Sequence, residues 1–121
     1  MKKKIFTTLG LMSGTSMDGV DLSLIKSDGY NYIEQIHDKY YQFSDELYEE
    51  LIHLREDIRN SDDLRKDYVK IDKIEKKFTL FNAKVVNELI DEIGFKPDLI
   101  GFHGQTIFHQ VKERISKQIG D

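Results

Sequence analysis

Small, hydroxyl-bearing and acidic residues are concentrated in one short segment, Ser13 to Asp21, with the sequence SGTSMDGVD. Gly14 and Gly19 allow the backbone to approach a ligand closely, and the hydroxyls and amides of a tight turn suit phosphate oxygens. Asp18 and Asp21 would repel a bare phosphate, but Mg²⁺ takes one or two carboxylates together with water and phosphate oxygens. The segment therefore predicts a site for a magnesium-bound phosphate. The alternative is a polar turn with nothing bound, since turns use the same residue types.

The same segment does not match the better-known motifs for nucleotide binding or nucleophilic catalysis. It lacks the Gly-Lys-Ser/Thr ending of a P-loop and the GxGxxG spacing of a dinucleotide site. It also lacks the second glycine of a hydrolase nucleophile elbow.

A second candidate segment, His103 to Thr106, follows an apolar run directly. Ligands of open α/β sheets favour the crevice at strand ends. Gln105 and Thr106 offer donors and acceptors for sugar hydroxyls, and His103 could orient one of them or hold a water. The alternative is a histidine bonded to nearby backbone in a strand-ending turn. No two histidines have a convincing metal-ligand spacing, so we predict no structural metal.

Three extended segments must position the first candidate. Ile5–Met12 is apolar, Val20–Lys26 alternates in polarity, and Tyr30–Phe43 is rich in aromatic residues. Short turns that contain glycine, serine and aspartate separate them. Strands joined in this way form an antiparallel meander.

Two helices are predicted after the meander. Ser44 with two following acids can begin a helix that runs to about Arg55. A long helix begins at Asp62 or Asp63, and Gly94 and the proline that follows end it. Apolar residues spaced by three and four form one stripe along this helix: Leu64, Tyr68, Ile71, Ile74, Phe78, Phe81, Val85, Leu89 and Ile93. A sheet in the same chain could bury the stripe, and the alternative is a coiled-coil seam.

A short buried strand, Asp98–Phe102, and a further extended segment, Ile107–Val111, complete the order of elements. The fold class is therefore α/β: an antiparallel three-strand meander, a long helix and further strands. By fold analogy, this order is how a ribonuclease-H-like (actin-like ATPase) lobe begins.

The composition limits the function classes. The 121 residues carry a net charge of −4, which argues against a nucleic-acid binder. The absence of cysteine excludes disulfides and thiolate chemistry. No segment approaches the roughly 18 consecutive apolar residues of a membrane-spanning helix. The lysines that precede Ile5 imitate a signal peptide, but Thr7 and Thr8 interrupt the apolar stretch. We expect a cytoplasmic protein without a membrane partner.

Both candidate segments resemble motifs of one family. Leu11–Asp21 is similar, nearly residue for residue, to the opening glycine-rich motif of the anhydro-N-acetylmuramic acid kinases. Gly101–His109 resembles the second motif of this family, in which a small residue often stands in place of Phe102. Gln118–Asp121 resembles the start of a third motif. The resemblance spans the whole chain in order.

The resemblance implies transfer of the γ-phosphate of ATP to 1,6-anhydro-N-acetylmuramic acid while water opens the anhydro ring. The product, N-acetylmuramic acid 6-phosphate, belongs to the recycling of cell-wall peptidoglycan. The implied cofactors are ATP and Mg²⁺, with Asp18 as a metal ligand through Mg-ATP. The implied nucleotide-binding residues are Gly14, Thr15, Ser16, Met17, Asp18, Gly19, Val20 and Asp21. The implied sugar-binding residues are His103, Gly104, Gln105 and Thr106.

The chain departs from this family in length. Family members are much longer, and their general base is the aspartate of an Asp-x-Gly-Pro-Gly-Asn motif that the chain lacks. We therefore expect residues 1–121 to be the N-terminal part of an incomplete first lobe, with no catalytic residue. A second chain could supply the missing lobe, and we expect self-association through the surface left uncovered. The alternatives are a non-catalytic nucleotide- or sugar-binding module and a helix-mediated interaction protein.

We predict that the purified chain has no useful kinase activity, because a two-lobed kinase needs the cleft between its lobes to exclude water from the transferring phosphate. A coupled assay with ATP and the anhydro sugar measures this. Robust turnover would contradict it.

Overall fold

The first three strands form the predicted antiparallel meander. In the computed structural model, which describes residues 4–120, β1 is Phe6–Met12, β2 is Gly19–Ser27 and β3 is Ile33–Gln42. β2 lies between the other two strands, with a bulge after Leu24.

The third strand begins later than the predicted residue, Tyr30. The carboxylate of Asp28 accepts hydrogen bonds from the amides of Tyr30, Asn31 and Tyr32 at 2.9, 3.0 and 2.9 Å. These bonds close a turn around the aspartate, and pairing with β2 starts only at Ile33.

The first helix, α1, is Asp45–Asp57, and its predicted cap is confirmed. The Ser44 hydroxyl accepts a hydrogen bond from the Leu47 amide at 3.2 Å. The helix continues two residues beyond the predicted end at Arg55.

The predicted long helix is in fact two helices, α2 at Ser61–Lys66 and α3 at Tyr68–Ile93. Asp67 leaves the helical conformation (φ −100°, ψ 18°) and separates the two helices. The Asp67 amide still bonds to the Asp63 carbonyl, and its carbonyl accepts from Ile71, each at 2.9 Å. The predicted end is confirmed, because Gly94 adopts the left-handed conformation with φ 83°.

The apolar stripe of α3 packs inside the chain. Ile71, Ile74, Phe78, Val85 and Leu89 are buried, together with leucines of α1 and of the sheet. The core therefore lies between the helices and one face of the sheet, as expected if the sheet buries the stripe. Tyr68, which belongs to the predicted stripe, is instead 67% exposed.

The strand after α3 pairs with β1 in parallel. β4 is Leu99–Phe102, and the sheet order is β3-β2-β1-β4. The backbone of Asp98 donates to the Thr7 carbonyl at 2.7 Å, and the Asp98 carboxylate accepts from the Thr7 amide at 2.8 Å. These bonds set the register at the start of β4.

The prediction that β4 is buried is wrong. Leu99 and Ile100 are each 53% exposed. The physical reason is position: β4 is an edge strand that only β1 pairs within residues 4–120.

A hairpin completes the described part of the chain. β5 is Gln105–Gln110 and β6 is Ile115–Ile119, and the two strands pair antiparallel. The predicted segment Ile107–Val111 thus begins two residues earlier, inside the second candidate segment. No helix within residues 4–120 is long and apolar enough to span a membrane.

We predict that Phe78→Ala lowers the free energy of unfolding by about 3–5 kcal/mol, because a buried aromatic ring leaves a cavity. Phe78 is fully buried, and its ring lies 5.8 Å from that of Phe43 and 6.1 Å from that of Phe102. Urea denaturation followed by circular dichroism measures the change. The matched control is Tyr68→Ala at the exposed start of α3, and equal losses in the two variants would contradict the prediction.

Candidate functional site

The two candidate segments meet at one edge of the sheet. β1 and β4 are parallel, with Leu11 opposite Phe102, so the segments that follow them leave the sheet side by side. The Gln105 amide nitrogen donates to the Gly14 carbonyl at 3.1 Å, which joins positions 91 residues apart. Residues of both segments line one cleft of about 690 Å³.

The turn between β1 and β2 is held by its own hydrogen bonds. The Ser13 hydroxyl donates to the Gly19 carbonyl at 3.1 Å, and the Met17 amide donates to the Gly14 carbonyl at 3.2 Å. Met17 adopts a positive φ of 57°, and its side chain is buried. Within residues 4–120, the amides of residues 14–16 donate to no backbone or side-chain acceptor, so they are available to a ligand.

Glycine is required at position 19 by the neighbouring strand. A Cβ there would clash with the ring and hydroxyl of Tyr40 and with the carbonyl oxygen of Tyr41. The ring of Tyr40 thus lies against the backbone of the turn, beside Asp18. The glycine serves packing here, in addition to any approach of a ligand.

The carboxylate of Asp18 is fixed from two sides. The Ser16 hydroxyl donates to it at 2.9 Å, and the Tyr40 phenol donates as well. These hydrogen bonds, Ser16 first and Tyr40 second, lower the pKa of Asp18 below its ordinary value. Desolvation and the bond to Asp18 raise the pKa of Tyr40. Asp18 is therefore an ionised acceptor with a defined orientation at neutral pH.

In the second segment, Gln105 is the most constrained side chain. It is 1% exposed, and its amide orientation follows from the bond to Gly14. Its carbonyl oxygen is buried and has no partner among the described residues. A buried acceptor of this kind is costly unless something donates to it, so it is a position at which a ligand O–H or N–H would be stabilised.

The neighbours of Gln105 have local partners. The His103 ring nitrogen Nδ1 lies 3.3 Å from the Gly104 carbonyl, the contact expected of a histidine in a strand-ending turn. Gly104 has φ 83°, and a Cβ there would clash with the Ile119 carbonyl. The Thr106 hydroxyl accepts from the Gln118 amide at 3.1 Å.

The structure divides the residues singled out in the sequence. Those that line the cleft are Ser13, Gly14, Thr15, Met17, His103, Gln105 and Thr106. Those outside its lining are Ser16, Asp18, Gly19, Val20, Asp21 and Gly104. Val20 is a core residue, 1% exposed. Asp21 lies in β2 opposite Met12 and Tyr40.

Residues that the sequence did not single out also line the cleft, from α1, from the segment after it and from β5. Arg55 comes from the end of α1, and its guanidinium donates to the Thr15 carbonyl at 2.7 Å. Ile58 follows the same helix, and Phe108 comes from β5. A basic residue in the last turn of a helix is ordinary, since it complements the helix dipole, so the sequence gives no signal for Arg55.

Comparison with known proteins gives the family. The family model described as anhydro-N-acetylmuramic acid kinase matches residues 6–121. The chain belongs to this family. The match includes both segments that line the cleft.

Curated relatives named anhydro-N-acetylmuramic acid kinase match nearly the whole chain. The protein of Pelagibacter ubique (strain HTCC1062) is 51% identical over 98% of this chain and 32% of its own length. The protein of Brucella canis (strain ATCC 23365 / NCTC 10854 / RM-666) is 39% identical over 93% of this chain and 31% of its own length. The chain thus spans about a third of the length of these relatives.

We predict that Tyr40→Phe raises the pKa of Asp18 toward its ordinary value, because one donor to the carboxylate is lost. Because the pKa of Asp18 is lowered in the folded state, the ionised carboxylate stabilises the fold at pH values above the pKa of the unfolded state. This stabilisation is lost as the pH falls through the pKa of the folded state. Carboxyl chemical shifts followed by NMR titration measure the pKa directly. The control is Tyr48→Phe on α1, and an Asp18 pKa that does not move in Tyr40→Phe would contradict the prediction.

Proposed function

We propose that this chain is the N-terminal part of the first, ribonuclease-H-like lobe of a cytoplasmic sugar kinase. The kinase would transfer the γ-phosphate of ATP to 1,6-anhydro-N-acetylmuramic acid with opening of the ring, in peptidoglycan recycling. The observation that supports this most strongly is the Gln105–Gly14 hydrogen bond, which joins the two family motifs in one cleft. One motif would hold the nucleotide and the other the sugar.

The turn between β1 and β2 has the groups that Mg-ATP would need. Its unpaired amides at residues 14–16 and the Thr15 hydroxyl are donors for phosphate oxygens. Asp18 supplies one ionised carboxylate, which suits Mg²⁺ held mainly by phosphate oxygens and water. When bound, Mg-ATP would supply the phosphoryl group, and its magnesium ion would neutralise part of the phosphate charge. The role of this chain is to orient the phosphates.

The second segment suits a sugar. The unpartnered Gln105 oxygen would accept from a sugar hydroxyl or an acetamido N–H. Ile58, Ile107 and Phe108 give the same cleft an apolar lining, against which the ring carbons of a sugar can pack. His103 and Thr106 border the cleft and would contact the sugar from its rim.

We assign no general base to residues 1–121. The proposal for this chain is therefore binding and positioning, and a complete transfer would need groups from elsewhere. A non-catalytic binding module is the second candidate, favoured by the fact that one cleft combines both segments.

We predict that Asp18→Asn weakens the binding of Mg-ATP about tenfold or more, because the neutral amide loses the charge that a magnesium-bound phosphate requires. Isothermal titration calorimetry of the chain with Mg-ATP measures the dissociation constant. Binding of ATP in EDTA should change much less, since no metal is then present.

The matched control is Asp62→Asn, an exposed aspartate of α2. Equal Mg-ATP affinity in Asp18→Asn and the parent chain would argue against the nucleotide role of the turn. Absence of Mg-ATP binding by the parent chain would argue against it for this chain altogether.

A further inference from the structure

We propose that the guanidinium of Arg55 forms an anion subsite of the cleft, which takes a carboxylate or phosphate group of the bound ligand. Arg55 lines the cleft from the end of α1, and one of its N–H groups is held by the Thr15 carbonyl at 2.7 Å. The inference rests on the proposed function, since it assigns a part of the ligand within the same cleft.

Among residues 4–120, Arg55 is a cation without an acidic partner. No aspartate or glutamate within residues 4–120 forms an ion pair with it. No acidic side chain lines the cleft in the described part of the chain, although the whole chain has a net charge of −4. The described lining of the cleft thus combines a guanidinium with no acidic side chain, so an anionic group would be favoured there.

The hydrogen bond to the Thr15 carbonyl orients the Arg55 guanidinium and leaves other N–H donors of the group for a ligand. A guanidinium has several N–H donors in a planar fork, and the bond to Thr15 uses one of them. The remaining donors match the paired oxygens of a carboxylate or phosphate, which such a fork binds in a bidentate manner. Because the anchor is the carbonyl of the turn itself, the anion would lie next to the unpaired amides of residues 14–16.

The buried Gln105 oxygen is an independent sign that the same cleft takes a ligand. It is an acceptor without a donor among residues 4–120, whereas Arg55 is a donor without an anionic acceptor. A ligand with both an O–H or N–H group and an anionic group would satisfy both. An acidic amino sugar has these groups, and so does a sugar hydroxyl beside the phosphates of a nucleotide.

The experiment compares charged and neutral versions of each ligand against Arg55→Gln. This variant keeps an N–H donor for the Thr15 carbonyl and removes the charge. The ligand pairs are 1,6-anhydro-N-acetylmuramic acid with 1,6-anhydro-N-acetylglucosamine, which lacks the carboxylate, and Mg-ATP with adenosine. Dissociation constants come from calorimetry or NMR titration of the 121-residue chain.

We expect Arg55→Gln to weaken one charged ligand about tenfold or more, as for the loss of a charge-assisted hydrogen bond, and to leave its neutral partner unchanged. A loss confined to the acidic sugar identifies a carboxylate subsite, and a loss confined to Mg-ATP identifies a phosphate subsite. Arg55→Lys should retain part of the affinity. Arg65→Gln, on the exposed surface of α2, is the control.

Two results would overturn the subsite. An equal loss for charged and neutral ligands would mean that Arg55 only holds the turn, and no loss for any ligand would mean that it contacts none. In either case the parent chain still binds its ligands, so the proposed function would stand while the subsite fails.

Inorganic phosphate tests the subsite even if the parent chain binds neither the sugar nor Mg-ATP. In an NMR titration of ¹⁵N-labelled chain, we expect shifts at the Arg55 Nε and the Thr15 amide that are absent in Arg55→Gln. No shift in the parent chain at millimolar phosphate would overturn the subsite independently of the proposed function.

Discussion

β1 and β4 run parallel, and their register, from Thr8 opposite Leu99 to Leu11 opposite Phe102, determines where the candidate side chains lie. Parallel neighbours need a long crossover connection, which the helices between β3 and β4 supply. The apolar stripe of α3 covers the sheet during this crossover. Without that packing, the His103 segment would not reach the turn after β1.

Contacts within the protein hold the polar turn in place. The Ser13 hydroxyl donates to the Gly19 carbonyl on the other side of the turn, and the Met17 side chain is buried in the core. The Arg55 guanidinium donates to the Thr15 carbonyl. Asp18 is likewise fixed by Ser16 and Tyr40. A site whose groups are held by such contacts loses less conformational entropy on binding, so more of each contact contributes to affinity.

Local patterns in the sequence predict much of this fold. Ser44 and Gly94 mark helix ends because a side-chain oxygen and a left-handed glycine act within one turn of the chain. Exposure of β4 and the break between α2 and α3 at Asp67 depend instead on contacts with other parts of the fold. No local pattern contains that information.

Local patterns in the sequence likewise predict only a part of the candidate site. Glycine, hydroxyl-bearing and acidic residues identify the first segment, and polar residues after an apolar run identify the second. Neither pattern shows which side chains of the two segments meet. Arg55 joins the cleft only through the packing of α1 beside the turn, and Val20 faces the core because of strand alternation.

The Gln105 side chain has a consequence for how two ligands would affect each other. Its nitrogen contacts the turn, and its oxygen is the open acceptor in the second segment. A ligand on the oxygen would polarise the amide and strengthen the bond to Gly14, since hydrogen bonds in a chain reinforce one another. Thermodynamic reciprocity then requires that a ligand held by the turn change the affinity for a ligand at the second segment by the same factor as the second ligand changes the affinity for the first.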